Sequence, residues 1–157
     1  MVEIKELDKN SPERYFAEVE KLFRAMYDYM NQHGLKEKLI ENGEKLWLNS
    51  TKPTLKRLSF LAVAIKNDEI VGFALGSLKI MPEYLGFQKV GFISHVFVSE
   101  KHRRNGIAEK LSSYLESIFE KREVDILELE VLTDNNAAIS FWENVGYKKN
   151  LMKMRKK

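Results

Sequence analysis

Two stretches of this sequence carry residues whose types and spacing could do chemistry. The first is Gly91-Phe92-Ile93-Ser94-His95-Val96-Phe97-Val98-Ser99-Glu100-Lys101-His102-Arg103-Arg104-Asn105-Gly106-Ile107-Ala108, an apolar strand that runs through a basic turn into a helix. A helix that starts after such a turn leaves its first N–H groups without intrahelical partners, and they point outward with the positive end of the helix dipole. Arg103 and Arg104 add charge, and Gly106 lets a ligand approach the backbone. The pattern suits an anion such as phosphate; the same residues also read as a plain strand-to-helix connection with solvated arginines.

The second stretch is Asp125-Ile126-Leu127-Glu128-Leu129-Glu130-Val131. Period two puts Leu127, Leu129 and Val131 on one face and both glutamates on the other. Glu128 reads equally as a solvent-facing carboxylate. Glu130 stands nearer the carboxyl end of the strand, which in open α/β sheets faces the ligand crevice, and there it could take a proton from an incoming nucleophile. Ser94 and His95 are further candidates. An unperturbed imidazole suits base catalysis, although a histidine on an apolar strand also serves as a packing residue. His102 could meet phosphate or stay solvated in its loop.

Several classes of function are excluded. With no cysteine, the chain forms no disulfide, thiolate metal site or cysteine nucleophile, which fits a reducing, cytoplasmic setting. The histidines at 33, 95 and 102 have no metal-site spacing, so no metal is expected. A net charge of +3 from 26 basic and 23 acidic side chains does not call for nucleic acid. The basic tail Lys148, Lys149, Lys153, Arg155, Lys156 and Lys157 reads as solubilising. No apolar run reaches membrane length, and the N-terminus lacks the apolar core of a signal peptide.

The elements that must position these residues follow from periodicity. Val2, Ile4 and Leu7 suggest a short edge strand. Ser11, Pro12 and Glu13 open a helix whose stripe of Tyr15, Phe16, Val19, Leu22, Phe23, Met26, Tyr27 and Met30 ends at Gly34. A second helix is expected from Leu35 through Trp47, bent at Gly43 and closed by Ser50 to Pro53. Leu58–Ile65 and Ile70–Ile80 form an antiparallel pair about an Asn67-Asp68 turn. Gly72 and Gly76 mark a bulge or close backbone approach. After the loop from Met81 to Gly86 come the strand at Gly91, a helix from Asn105 to about Lys121, a strand from Asp125, a helix from Asn136 to Asn144 and a final strand from Tyr147. The order β-α-α-β-β-β-α-β-α-β describes a single α/β (α+β) domain over residues 1–157, with parallel strands around 91–131.

Arg103-Arg104-Asn105-Gly106-Ile107-Ala108 resembles the [RQ]-x-x-G-x-[GA] loop of the GCN5-related N-acetyltransferases. Leu127 to Tyr147 is similar to that family's L-x-V-x-x-x-N-x-x-A-x-x-[FL]-[YW]-x-x-x-G-[FY] half, and the likeness runs from about Leu58 to Lys149. The resemblance implies a mixed sheet splayed between its fourth and fifth strands, with acetyl-CoA as acyl-donor cosubstrate in the opening. It implies that Val96, Phe97 and Val98 pair with the pantetheine arm, that Arg103, Arg104, Asn105, Gly106, Ile107 and Ala108 hold the pyrophosphate, and that Asn135 and Trp142 lie along the cofactor, Asn135 being equally suited to cap its helix. It implies direct acetyl transfer to a primary amine of a small molecule or peptide, with Glu130 as base and Ser94 and His95 in reserve. Met26, Tyr27, Tyr29, Met30, Trp47, Glu83 and Tyr84 would wall the acceptor site, with Tyr27, Glu83 and Tyr84 touching the acceptor. No nucleic acid and no membrane is implied, and a homodimer is left open. Trp142 stands where the family often has a tyrosine acid, and its indole cannot protonate a leaving thiolate. That departure keeps a second reading, a non-catalytic acyl-CoA sensor or interaction module.

Overall fold

The structure is a computed structural model and describes residues 1–157. Five strands, β1 (Glu3–Leu7), β2 (Ser59–Lys66), β3 (Glu69–Ile80), β4 (Lys89–Val98) and β5 (Ile126–Leu129), form one sheet in sequential order. All neighbours are antiparallel except β4 and β5, which are parallel. Four helices flank it: α1 (Glu13–Asn31), α2 (Gly43–Thr51), α3 (Ile107–Lys121) and α4 (Asn136–Asn144).

The sheet is covered on both faces, which is why β2 reads as an unbroken apolar run. Leu61, Val63 and Ile65 point into the layer under α1 and α2, where Tyr15, Phe16, Val19, Phe23, Met26 and Leu48 are buried. Phe60, Ala62 and Ala64 point the other way, toward Ile107, Leu111, Leu115 and Phe119 of α3. Trp142 of α4 and Tyr147 pack on this second layer. Between β2 and β3, Asn67 (φ 51°) and Asp68 (φ 64°) are both left-handed, the geometry of a tight hairpin.

Glycine earns its place where Phe119 crosses the sheet. A Cβ on Gly91 would lie 2.7 Å from Phe119 Cγ, and one on Gly76 would lie 2.8 Å from Phe119 Cζ. The ring therefore packs directly on the backbone of β3 and β4, and the close approach expected at Gly76 is of this kind.

Three expected elements differ. The second helix starts at Gly43, not Leu35, because the carbonyls of the preceding loop are taken by side chains of α1. Asn31 Nδ2 donates to the carbonyls of Leu35 (3.1 Å) and Glu37 (2.7 Å), and Arg24 Nη2 donates to Ile40 (2.8 Å). Gly43 begins the helix instead of bending it, after a left-handed Asn42. The final strand from Tyr147 does not form: residues 147–157 have no regular structure. Lys148, Lys149, Lys153, Arg155, Lys156 and Lys157 crowd like charges into this segment, and Leu151, Met152 and Met154 remain exposed. The strand at Asp125 is also shorter than expected, ending at Leu129.

Gly91→Ala should destabilise the fold by about 1–3 kcal/mol, since the added methyl must push Phe119 out of its seat. Urea unfolding checks this, and the penalty should shrink when the same change is made beside Phe119→Leu; equal penalties in both backgrounds would contradict the contact.

Candidate active site

The site grows from a mismatch in strand length. Pairing of β4 with β5 covers only Val90–Ile93 against Ile126–Leu129, yet β4 continues to Val98. Its other edge stays paired with β3 throughout, with one irregularity. His95 faces Leu75 and Ile93 faces Gly76, which leaves Ser94 as an extra, bulged residue. Past the bulge the two strands part, and one edge of β4 has no strand beside it.

Backbone parity shows which groups line that gap. The Ser99 N–H donates to Val71 of β3 at 2.8 Å, so by alternation the main chain of Phe97 also faces β3, while Val96 and Val98 face the gap. The Val98 carbonyl is filled by Arg103 Nε at 3.0 Å. The side chains divide as well: Val96 and Val98 pack toward α3, whereas Phe97 packs toward α1.

The basic turn completes the gap's outer end. Arg104 (φ 66°) and Gly106 (φ 74°) are left-handed, and Gly106 is the N-cap of α3 with no side chain capping the helix. The first intrahelical bond runs from Lys110 N–H to Gly106 at 3.1 Å, so the N–H groups of Ile107, Ala108 and Glu109 are not used by the helix. A Cβ on Gly106 would meet nothing within 4 Å, which leaves room for a ligand against the backbone. Neither Arg103 nor Arg104 forms an ion pair. Asn105 Nδ2 donates to the His102 carbonyl at 3.3 Å, and His102 Nδ1 lies 2.8 Å from Ser99 Oγ, so both side chains brace the turn. Arg103 is a brace as well. Its guanidinium lies over Tyr29 at 4.6 Å and over Phe97 at 5.2 Å, tying α1 to the end of β4.

Glu130 is the first residue past β5 and is exposed. Leu127 and Leu129 pack toward α3, so within β5 Glu128 points to the α1 side, the same side as His95 and Phe97, and Glu130 follows directly on the strand's carboxyl end. His95 is enclosed by Phe23 (ring centroids 5.3 Å apart) and Trp47 (6.1 Å), both edge-on. This burial lowers its pKa from 6.5 to about 4, so near neutral pH it is uncharged and a weak base. Asn135 is the N-cap of α4, its Oδ1 accepting from Ala138 N–H at 3.2 Å. Trp142 sits between Phe141 (4.8 Å) and Tyr147 (5.3 Å). The Tyr147 hydroxyl donates to Glu116 at 2.7 Å, and burial together with this carboxylate pushes its pKa up.

Not every candidate is brought together. Glu83 and Tyr84 lie in a short turn at the opposite end of the sheet, where β3 passes into β4. Val96 is seven residues along β4 from its first residue, roughly 23 Å at strand rise. Tyr84 is 84% exposed. Tyr27 packs 5.3 Å from Phe23 in the α1 layer. Sequence reasoning placed Tyr29 in a wall without its partner. The stacking of Tyr29 with Arg103, and with His33 at 4.1 Å, depends on α1 ending beside β4, which no local pattern encodes.

His95 supplies a test of this packing. The unfolded imidazole takes its proton near 6.5 and the folded one only near 4, so its contribution is fully present above pH 6.5 and lost as pH falls toward 4. The unfolding free energy of the native chain relative to His95→Phe should therefore drop by about 3 kcal/mol across that window; a pH-independent difference would contradict the burial.

Comparison with known proteins agrees with this fold. The family model described as the Acetyltransferase (GNAT) family matches residues 16–147. An N-alpha-acetyltransferase 30 of Schizosaccharomyces pombe is 30% identical over 88 residues, 56% of this chain, and the chain spans 57% of that relative's length. Among solved structures, an aminoglycoside acetyltransferase from an uncultured soil metagenomic sample, in complex with trehalose, superposes with a TM-score of 0.76 at 17% identity, over 99% of this chain and 95% of its own. A ribosomal-protein-alanine N-acetyltransferase from Brucella melitensis biovar Abortus gives 0.70 at 19% identity, over 100% and 99% of the two chains. With a model match that spans most of its length, the chain belongs to the GNAT acetyltransferase family.

Proposed function

We propose that the protein is a single-domain, cytoplasmic N-acetyltransferase that moves an acetyl group from acetyl-CoA directly to a primary amine of a small molecule or peptide. The observation that carries this reading is the gap between β4 and β5, with unpaired main chain along one wall and unused helix N–H groups at its end. One solved relative in fold, aminoglycoside N-acetyltransferase AAC(6')-Iy, is described in complex with CoA, with a TM-score of 0.75 at 14% identity. No helix is long and apolar enough to cross a membrane.

The residues suit the group. Val96 and Val98 offer main-chain hydrogen bonds to an amide-bearing arm, as an added strand would. The N–H groups of Ile107, Ala108 and Glu109, with the charges of Arg103 and Arg104, suit a diphosphate, and the open face of Gly106 admits it. Asn135, as cap of α4, and Trp142 line the α4 side. Bound acetyl-CoA supplies the activated thioester.

Glu130 takes the proton from the incoming ammonium, directly or through a water. The bulge at Ser94 frees its main chain and hydroxyl to face the reacting carbonyl, where a donor stabilises developing negative charge. His95, neutral and ringed by aromatics, shapes the acceptor side and is a poor proton acceptor there. Neither the Trp142 indole nor the Tyr147 hydroxyl, held by Glu116, is suited to give up a proton. A bound coenzyme would supply a thiol leaving group with a pKa of about 8.5, which would leave without demanding a side-chain acid from this chain. The acceptor's wall comes from Tyr27, Tyr29 and the loop between α1 and α2, in preference to Glu83 and Tyr84.

Saturating acetyl-CoA should raise the melting temperature, by the equivalent of about 2.7 kcal/mol at a hundredfold excess over Kd. Thiol release over a panel of amines should then reveal turnover; a thermal shift without release from any amine would mark a binding module instead. Glu130→Gln should lower kcat by about 10²–10⁴-fold with unchanged acetyl-CoA affinity, and full activity in that variant would remove Glu130 as the base.

A further inference from the structure

From Tyr147 to Lys157 the chain forms no helix or strand. Leu151, Met152 and Met154 are 92%, 75% and 86% exposed, so beyond Tyr147 packing does not hold this segment. A charge tether does. Arg155 Nη1 and Nη2 donate to the two carboxylate oxygens of Glu37 at 3.1 and 2.7 Å. Glu37 lies in the loop between α1 and α2, whose carbonyls at Leu35 and Glu37 are pinned by Asn31.

That loop borders the reaction gap. A Cβ on Gly34 would lie 3.5 Å from Asp134 Oδ2, and Asp134 sits in the turn after β5, four residues beyond Glu130. The tail is thus clasped to the loop that meets the turn following β5, the turn that Glu130 leads into. The clasp brings an amine with it: Arg155 holds the Glu37 carboxyl below its ordinary range, and Lys153 is near enough to add to that effect. Both members of the clasp are about half exposed, at 51% and 52%. Such an exposed pair is weakened by solvent screening, so it tethers the tail without freezing it. Because the tail belongs to the same chain as the gap, its approach is intramolecular, and a short flexible tether corresponds to an effective concentration of about the millimolar range. Arg155 itself is no acceptor, because a guanidinium does not lose its proton. Lys153, two residues before it, carries a primary amine.

Building on the amine acetyltransferase reading above, we infer that Lys153 is an acceptor for the enzyme's own acetyl transfer, presented in the same molecule by the Arg155–Glu37 clasp. The Lys153 Nζ forms an amide bond to the acetyl carbon as the thioester C–S bond breaks. The ammonium gives up two protons, one passing through the base to solvent and one ending on the thiol of coenzyme A. The product has lost one of the tail's positive charges.

Incubation with acetyl-CoA followed by peptide mass mapping tests this. Lys153 should be acetylated ahead of the other lysines at a rate independent of protein concentration, and Arg155→Ala should slow it at least severalfold while thiol release with free amines is unchanged. A readout without coenzyme A is available because the chain has no cysteine. Lys36→Cys with Lys153→Cys should be joined by a short bis-maleimide, in lower yield when Arg155→Ala is added. Acetyl groups spread evenly over surface lysines, Lys153 modification indifferent to Arg155→Ala, or cross-linking indifferent to it would overturn the inference while free-amine turnover left the transferase reading standing. No thiol release from any amine, with Lys153 unmodified, would overturn both.

Discussion

A strand that outruns its neighbour leaves backbone groups that must find a partner, and the site follows from that constraint. β4 is paired with β3 along its length but with β5 over only four residues. Val96 and Val98 therefore present main chain to the gap beside β5, where an N–H or C=O needs a partner. The structure meets one of these demands itself, with Arg103 on the Val98 carbonyl. In the function proposed above, the others pair with a strand-like arm that carries amides of its own.

The surroundings keep the gap open. Phe119 seated on Gly76 and Gly91 locks β3 and β4 from one side, and Phe23 with Trp47 and Phe73 packs the other. Arg103 joins the two layers at the outer end through Tyr29 and Phe97. The basic turn and the α1 layer are thereby mechanically connected: the residue that braces β4 also stacks on α1. His95 follows the same logic. It looked reactive by type, yet the aromatic layer that encloses it also strips its basicity.

Much of this was legible in the sequence because it is local. The turn from Arg103 to Ala108, the alternation of Leu127, Glu128, Leu129 and Glu130, and the Asn67-Asp68 hairpin each depend on residues within a few positions of one another. Departures arose where distant contacts decide. The loop from Leu35 to Asn42 has helical spacing, but Asn31 and Arg24 capture its carbonyls. The segment after Tyr147 has apolar residues enough for a strand, but its lysines and the Arg155–Glu37 pair hold it elsewhere. The end of the sheet on which Glu83 and Tyr84 fall is a property of topology, and no motif announces it.

The account stands on the unpaired edge of β4 receiving the coenzyme. Amide hydrogen exchange with and without coenzyme A measures this directly. The N–H groups of Val96, Val98, Ile107, Ala108 and Glu109 should exchange more slowly when coenzyme A is present, with the residues of β1 unchanged. Unaltered exchange at Val96 and Val98 in a coenzyme-saturated sample would contradict it.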